Sequence, residues 1–479
     1  MTRPGEAMFS LREAAALIPG ATVLGDDSVT FGHVSTDSRT AGPGDLFVAL
    51  KGERFDAHDF LPDVAARHVS AALVTHMPAD WQVPTLKVAD TRAALGALAR
   101  GWRRRFAMPL VAVTGSNGKT TVKEMIASIF AAAVGADSRL ATAGNFNNDI
   151  GLPLTLFRLS AAHQLAVVEL GMNHPGETAL LGKLAEPTVA VVNNAQREHQ
   201  EFMATVEAVA LEHASVIHSL APDGVAVFPA DDAYAGIWRV AATGNRIVDF
   251  ALNSAQRTTE AAVKGTFTGN LLGVDTPQGH LELTLQVLGD HNAHNALAAT
   301  SAALASGVSL DAIRRGLESF GAVKGRLQLK RAVLGALAGA TVIDDTYNAN
   351  PDSMRAAIDV LASRPSPRVL VMGDMGEVGD NGPVFHREIG AYAKERGIDA
   401  LYALGDASHD ACTAYGADAH HLDDVATLVA QLLQAAQAGA YGPSATLLVK
   451  GSRFMKMERV VDAVPSPQPI APGAAPDAH

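Results

Sequence analysis

The 479-residue chain has one cysteine, Cys412, which excludes an intramolecular disulfide and a cysteine-ligated zinc cluster and fits a reducing compartment. No apolar run approaches the roughly 20 residues that cross a bilayer. The N-terminal stretch MTRPGEAMFSLREAAALI lacks the apolar core of a signal peptide, so a cytoplasmic protein without membrane insertion is expected. Ser10 with Glu13 reads there as a capping box that opens an ordinary helix. Positive charge is also scarce: 38 Lys and Arg face 50 Asp and Glu, for a net charge of -12. No diffuse cationic surface exists to displace counterions, which excludes a general affinity for nucleic acid; an anionic substrate must be met by a few placed cations.

What is present is apolar material, 48% of residues against 18% charged, enough to bury substantial cores. The length predicts about three domains. Up to about residue 108, short β-like runs (Asp45 to Leu50, Ala71 to Val74) mix with Gly/Pro turns and two helical patterns, ending in the basic patch Arg100 to Arg105. From Leu110 to about Val323, strand-like runs at 110–114, 165–169, 189–193 and 225–228 alternate with helical patterns, which predicts a mainly parallel sheet. A third unit from about Gly325 repeats the theme in TVIDD (341–345), VLVMGD (369–374), ALYALGD (400–406) and LLVKGS (447–452). Each of these runs ends in Gly, Asp or Lys or a neighbour of them, and ligands in such sheets sit at strand C-terminal ends. Residues 464–479 are Pro/Ala-rich without a periodic apolar face and read as a disordered tail.

The stretch LVAVTGSNGKTT (110–121) is an apolar strand running into a glycine-bearing turn. Val122, Met125, Ile126, Ile129 and Phe130 then recur at helical spacing, so the turn opens a helix whose N–H groups and dipole face an anion. Lys119 would reach the β and γ phosphates of a nucleotide and the Thr120 hydroxyl would hold magnesium. Two residues rather than four separate Gly115 from Gly118, a spacing that points toward amide-forming ligases rather than GTPases or motors.

Four further groups carry chemistry. Glu169 ends the strand in VVELGMN, where a carboxylate suits a Mg²⁺ ligand; taken alone, such a Glu is more often a cap. His199 follows another strand, and a lone His is usually structural. Asn292 and Asn295 lie three apart at a helix start, able to read an adenine edge or simply to cap the helix. Last come Arg326, the run Asp345-Thr346-Tyr347-Asn348-Ala349-Asn350-Pro351, and Lys450 to Arg453. These suit a ribose, a base and a phosphoryl group in transit, or else a turn and a solvated loop.

In combination the motifs resemble the ATP-dependent Mur ligases of bacterial cell-wall synthesis. The match rests on TGSNGKTT (114–121), GNFNNDIGLPLTL (144–156), ELGMNHPGE (169–177), Asn193-Asn194 to His199, HNAHNALAA (291–299), DDTYNANPDSM (344–354), VMGDMGEVGD (371–380) and VKGSR (449–453). STDSRTAGPGDLFVALKGERFDAHDF (35–60) adds a likeness to the family's uridine-nucleotide-binding domain. The YNANPDSM loop, with no DNPR-type motif, favours the member that adds D-Ala-D-Ala to UDP-MurNAc-tripeptide.

The resemblance implies an α/β fold of three domains. They are a small N-terminal α/β uridine-nucleotide-binding domain (1–108), a central P-loop ATPase-type, mainly parallel sheet (109–324) and a C-terminal Rossmann-like α/β domain (325–463). It implies ATP and Mg²⁺, held by Gly115, Ser116, Asn117, Gly118, Lys119, Thr120 and Thr121, with Thr120, Glu169 and His199 on metal. Asn295 would recognise adenine, Arg326 the γ-phosphate, and Asp345, Tyr347 and Asn348 the ribose and base. Ser35, Asp37, Ser38, Arg39, Lys51, Gly52 and Arg54 would face the uridine diphosphate, and Asn145, Asn147, Asn148 and His174 the muramoyl peptide. A monomer is expected.

Two departures stand out. Mur ligases usually carry a carbamylated lysine on the helix after the metal-site histidine, yet no lysine lies between Gln196 and Val263. Glu212, His213 or water is expected in its place. Ala57 stands where the family usually has Gly. Folylpolyglutamate synthetase is the nearest alternative, disfavoured by residues 31–60; a P-loop NTPase switch would release phosphate without an acceptor substrate.

Overall fold

The computed structural model describes residues 7–333 and 335–464. Of the tail expected to be disordered, all but Val464 lies outside the described residues. Near the N-terminus, helix α1 (Leu11–Leu17) is opened by the Ser10/Glu13 capping box that its sequence predicts. A five-stranded sheet follows, built from β1 (Thr22–Leu24), β2 (His33–Ser35), β3 (Asp45–Val48), β4 (Ala71–Val74) and β5 (Thr85–Lys87), in the order β1-β5-β4-β3-β2. Only the β1–β5 pair is antiparallel. Helix α2 (Thr91–Arg103) leads out of this unit, N-capped by Asp90.

The second sheet has six strands, all parallel: β6 (Leu110–Thr114), β7 (Arg139–Ala141), β8 (Leu165–Glu169), β9 (Val189–Val192), β10 (Val225–Val227) and β11 (Arg246–Ile247). Its order is β11-β10-β9-β6-β8-β7, so the chain leaves β6 toward one side and later returns to the other. That reversal opens a crevice at the C-terminal end of β6, the place where parallel α/β sheets take ligands. Strand β6 is buried on both faces, as central parallel strands are. Leu110 and Ala112 join the core shared with α2, while Val111 and Val113 join the core beneath α3 (Lys119–Val134). Val122, Met125, Ile126, Ile129 and Phe130 of α3 are fully buried there, each worth roughly 1.5–3 kcal/mol.

A four-stranded sheet absent from the sequence reading follows: β12 (Phe250–Asn253), β13 (Val263–Thr268), β14 (Leu271–Thr276) and β15 (Gly279–Thr284). Its last three strands are antiparallel and bury alternate residues, Leu272 and Val274, then Leu281 and Leu283, against the core beneath α3. Helices α4 (Glu177–Ala185), α5 (Val206–Ala214), α6 (Asp290–Ala305) and α7 (Leu310–Glu318) complete this region.

The third sheet comprises β16 (Gln328–Arg331), β17 (Thr341–Asp345), β18 (Arg368–Gly373), β19 (Ala400–Leu404), β20 (Ala419–Leu422) and β21 (Thr446–Lys450). Its order is β16-β17-β21-β18-β19-β20, with only β16 antiparallel, and helices α8 (Pro351–Ala362) and α9 (Gly382–Glu395) flank it. The last strand, β21, is thus inserted at the middle of the sheet, which sets Lys450 beside Asp345.

Candidate active site

The turn after β6 is shaped by two glycines at which any side chain would be strained. Gly115 has φ of 133°, and a Cβ there would sit 3.0 Å from the Asn193 backbone nitrogen. Gly118 has φ of 81°, and its Cβ would meet Asn295 Oδ1 at 2.5 Å and Asn193 Nδ2 at 2.6 Å. An asparagine network fixes the loop from outside. Asn117 N–H donates to Asn194 Oδ1 at 2.9 Å, and Asn193 Nδ2 donates to the Asn117 carbonyl and to Asn295 Oδ1, each at 2.8 Å. Helix α3 then begins without a side-chain cap, leaving its first N–H groups and dipole free for an anion.

The loop opens into a cavity of about 1170 Å³ between the second and third sheets. Ser116 through Thr121, Glu169 and His199 line it from one side, and Arg326, Asp345, Tyr347 and Asn348 from the other. Glu169 is buried; its Oε1 accepts from Asn147 Nδ2 at 2.8 Å, while its Oε2 has no partner. An unpaired buried carboxylate oxygen beside a phosphate cradle fits a hard cation. Arg326 donates to Thr120 Oγ1 at 2.9 Å and lies 4.2 Å above the Tyr347 ring, which holds its guanidinium toward the loop. Asp345 accepts from Lys450 at 2.6 Å and from the Leu327 N–H at 3.1 Å. Asn348 Oδ1 accepts from the Ala349 N–H at 2.9 Å.

Asn145, Asn147, Asn148 and Asn295 also line the cavity. The Asn295 amide, expected to read adenine, is engaged by the protein: Oδ1 accepts from Asn193, and Nδ2 donates to Asn292 Oδ1 at 3.1 Å. Through these bonds it also braces the loop. His174 is not in the cavity wall; it is exposed, 3.2 Å from Glu177 and packed against Phe202.

The N-terminal set lies apart from this cavity. Ser35 ends β2 and Lys51, Gly52 and Arg54 follow β3, so these residues gather at adjacent C-terminal ends of parallel strands. Arg39 grips Asp37 through two hydrogen bonds and holds that carboxyl at about 2. Ser38 sits in the same turn. Ala57 opens a short helical turn capped by Asp56 and does not require positive φ, which is why a non-glycine residue is accommodated.

Residues 30–103 match the catalytic domain of the Mur ligase family, 113–303 the Mur ligase middle domain, and 325–453 the Mur ligase glutamate ligase domain. The chain belongs to the Mur ligase family. The UDP-N-acetylmuramoyl-tripeptide--D-alanyl-D-alanine ligase of Escherichia coli is 41% identical over 91% of this chain and 94% of its own length. The Bacillus subtilis enzyme of the same name is 34% identical over 96% and 99%. A crystal structure of MurF from Acinetobacter baumannii superposes with a TM-score of 0.83 at 37% identity, covering 91% of this chain and 93% of that one.

Where the resemblance implies a lysine, the structure corrects the two side-chain replacements expected in its place. Glu212 does not reach the cavity: its two oxygens accept from the Gly176 and Thr178 N–H groups, both at 2.9 Å, and cap helix α4. His213 is fully buried, with Nδ1 3.0 Å from the Thr114 hydroxyl and Nε2 2.8 Å from Glu198 Oε1. Glu198 was not singled out in sequence. It is buried, lines the cavity, and turns its other oxygen to Lys119 Nζ at 3.3 Å, with His199 Nε2 at 3.8 Å. Burial would lift its carboxyl, but the Lys119 ammonium, followed by the His213 hydrogen bond and charge and by His199, outweighs burial and holds it at about 2.

Sequence reading also passed over the bridges that join the two sides of the cavity. Arg197 reaches from the second-sheet unit to Asp352 at 2.6 Å and Glu388 at 2.7 Å, and Asn117 pairs with Asn350 at 3.0 Å. His199 Nδ1 lies 2.8 Å from Glu377, and this contact holds the Glu377 carboxyl below its usual range. These pairs join residues more than 150 positions apart, and no local motif marks them.

Proposed function

We infer that the chain joins D-alanyl-D-alanine to UDP-MurNAc-tripeptide with ATP, giving UDP-MurNAc-pentapeptide, ADP and phosphate. Three units serve this reaction: residues 1–108 bind the uridine nucleotide through Ser35, Asp37, Ser38, Arg39, Lys51, Gly52 and Arg54; 109–324 bind ATP; and 325–463 close on it. One observation carries the reading: an anion cradle with two phosphate-seeking cations, Lys119 and Arg326, faces the unpaired carboxylate oxygen of Glu169 across one cavity. That is the charge pattern a triphosphate with its cation requires.

In the first step the tripeptide carboxylate oxygen attacks the γ-phosphorus, the bond to the β-phosphate oxygen breaks, and ADP departs. The loop N–H groups and Lys119 hold the triphosphate, while Arg326, kept in place by Tyr347, offsets charge on the moving phosphoryl group. In the second step the dipeptide amine attacks the acyl carbon of the acyl phosphate, loses a proton, and expels phosphate. Thr120, Glu169 and His199 would hold Mg²⁺, which when bound offsets charge where two anions meet. Asn145, Asn147 and Asn148 flank the path of the muramoyl peptide, with His174 at its rim. Asp345, Tyr347 and Asn348 approach the ribose and base, and Asn295 acts by shaping the loop.

Closure by Arg197 and Asn117 keeps water from the acyl phosphate. No described helix is long and apolar enough to cross a membrane. The enzyme is read as cytoplasmic and monomeric. ADP release measured with UDP-MurNAc-tripeptide and D-Ala-D-Ala, each omitted in turn, tests the reading. Turnover that persists without either substrate overturns it.

A further inference from the structure

We propose that Glu198, oriented by His213, is a metal-binding carboxylate of this site and does the work of the carbamate that Mur ligases usually carry on the helix here. The inference rests on the ligase reading above and concerns one residue that no motif marks.

The two side chains expected there are used up by the protein itself. Both Glu212 oxygens cap helix α4. His213 has protein partners at both ring nitrogens and no exposed surface. An ionised carboxylate can only accept, so the His213 nitrogen facing Glu198 must carry a proton and has no lone pair for a metal. Glu198 stands beside them: a side chain 5% exposed, one oxygen fixed by His213 and the other turned to Lys119 in the cavity wall that it shares with Glu169.

That second oxygen now faces Lys119, which also donates to the Gly115 and Ser116 carbonyls. Lys119 is the residue whose ammonium belongs on the β and γ phosphates once a nucleotide enters. When it leaves, Glu198 is stranded as a buried anion without its counter-cation, an unfavourable state. A divalent cation arriving with the triphosphate removes that penalty, so lysine and cation change places on one oxygen. Glu169, whose Oε2 has no partner, supplies an independent sign that a cation belongs in the same wall. His213 is then a positioning residue: where a family relative extends a lysine-borne carboxylate from the helix, this chain extends an imidazole that holds a carboxylate from the preceding loop.

Mn²⁺ binding to the full-length protein with ADP, followed by electron paramagnetic resonance, tests the proposal without either ligase substrate. Glu198→Gln should weaken Mn²⁺ by about tenfold or more, the scale of losing a ligand or its support. Its ADP affinity in EDTA should stay equal to wild type or rise, because Lys119 is freed. His213→Gln keeps an N–H for the carboxylate and should lose less than His213→Phe. Withdrawing bicarbonate, which strips carbamates, should leave wild-type Mn²⁺ affinity unchanged. Equal Mn²⁺ affinity in Glu198→Gln and wild type shows that Glu198 only parks Lys119 and overturns the idea. A loss of affinity on bicarbonate withdrawal assigns the carboxylate to a lysine and overturns it too. If Glu198→Gln does not fold, Glu198→Asp, with its carboxylate drawn back one methylene, carries the same comparison. Failure of the ligase reading would show in the substrate-omission assay; failure here shows in the metal isotherm.

Discussion

Gly118 bears two constraints at once: a left-handed backbone, and a Cβ direction filled by two asparagine side chains at 2.5 and 2.6 Å. Replacement by alanine must therefore strain the turn and push aside Asn295 or Asn193, the latter bonded to the Asn117 carbonyl. Strain of this kind costs on the order of 1–3 kcal/mol, and it falls on the part of the loop that cradles phosphate. Gly118→Ala should weaken ADP binding by about tenfold or more in calorimetry, since each factor of ten is about 1.4 kcal/mol. Unchanged ADP affinity would mean that the asparagine network does not shape the cradle. The glycine, lysine and threonine types were legible in sequence because a phosphate loop is local, its parts lying within eight residues. Glu198 was not, because its meaning comes from Lys119, 79 positions away, and His213, one helix further on.

Helix α4 begins at Gly176, which has no side chain to cap it, and the cap is supplied from α5 by Glu212. Glu212→Ala strands two N–H groups and should cost about 1–2 kcal/mol, read as a lower midpoint in urea, with Mn²⁺ affinity unchanged. A shift in metal affinity would return Glu212 to the site. Where α7 crosses α3, a Cβ on Gly316 would lie 2.4 Å from the Ile129 Cα, so two backbones touch there. Gly316→Ala should separate the helices and destabilise the protein by about 1–3 kcal/mol, measurable by thermal melting; an unchanged melt would contradict so tight a crossing. The central parallel strands were readable as short apolar runs ending in polar residues, whereas the edge strands β7, β11 and β20 were too short or too polar to stand out. Strands β13 to β15 were passed over because alternation in VKGTFTGNLLGVDTPQGHLELT is diluted by glycine, although Gly269-Asn270 is a two-residue hairpin signal.

Across the molecule, charged pairs bridge the second and third units beside the cavity. The Arg197 guanidinium holds the Glu388 carboxyl below its usual range. A carboxylate lowered on closure contributes above the ordinary glutamate pKa, and the contribution is lost as pH falls through the lowered value. Small-angle scattering should therefore show the radius of gyration rising as pH drops below the usual carboxylate range. Arg197→Ala should be expanded already at pH 7. A compact Arg197→Ala variant would assign closure to the remaining contacts.

The placing of β21 has a consequence for synthesis. A chain emerging in order makes β17 and β18 long before β21, and until residue 446 appears these two strands face an empty slot with unpaired edges. Exposed edges invite wrong pairing, and joining Asp345 to Lys450 requires closing a loop of 105 residues. The third sheet should be the last part to gain amide protection in pulse-labelled refolding, after the second. A nascent chain thus completes its phosphate loop before it owns Lys450, the residue that braces Asp345 in the opposite wall of the cavity.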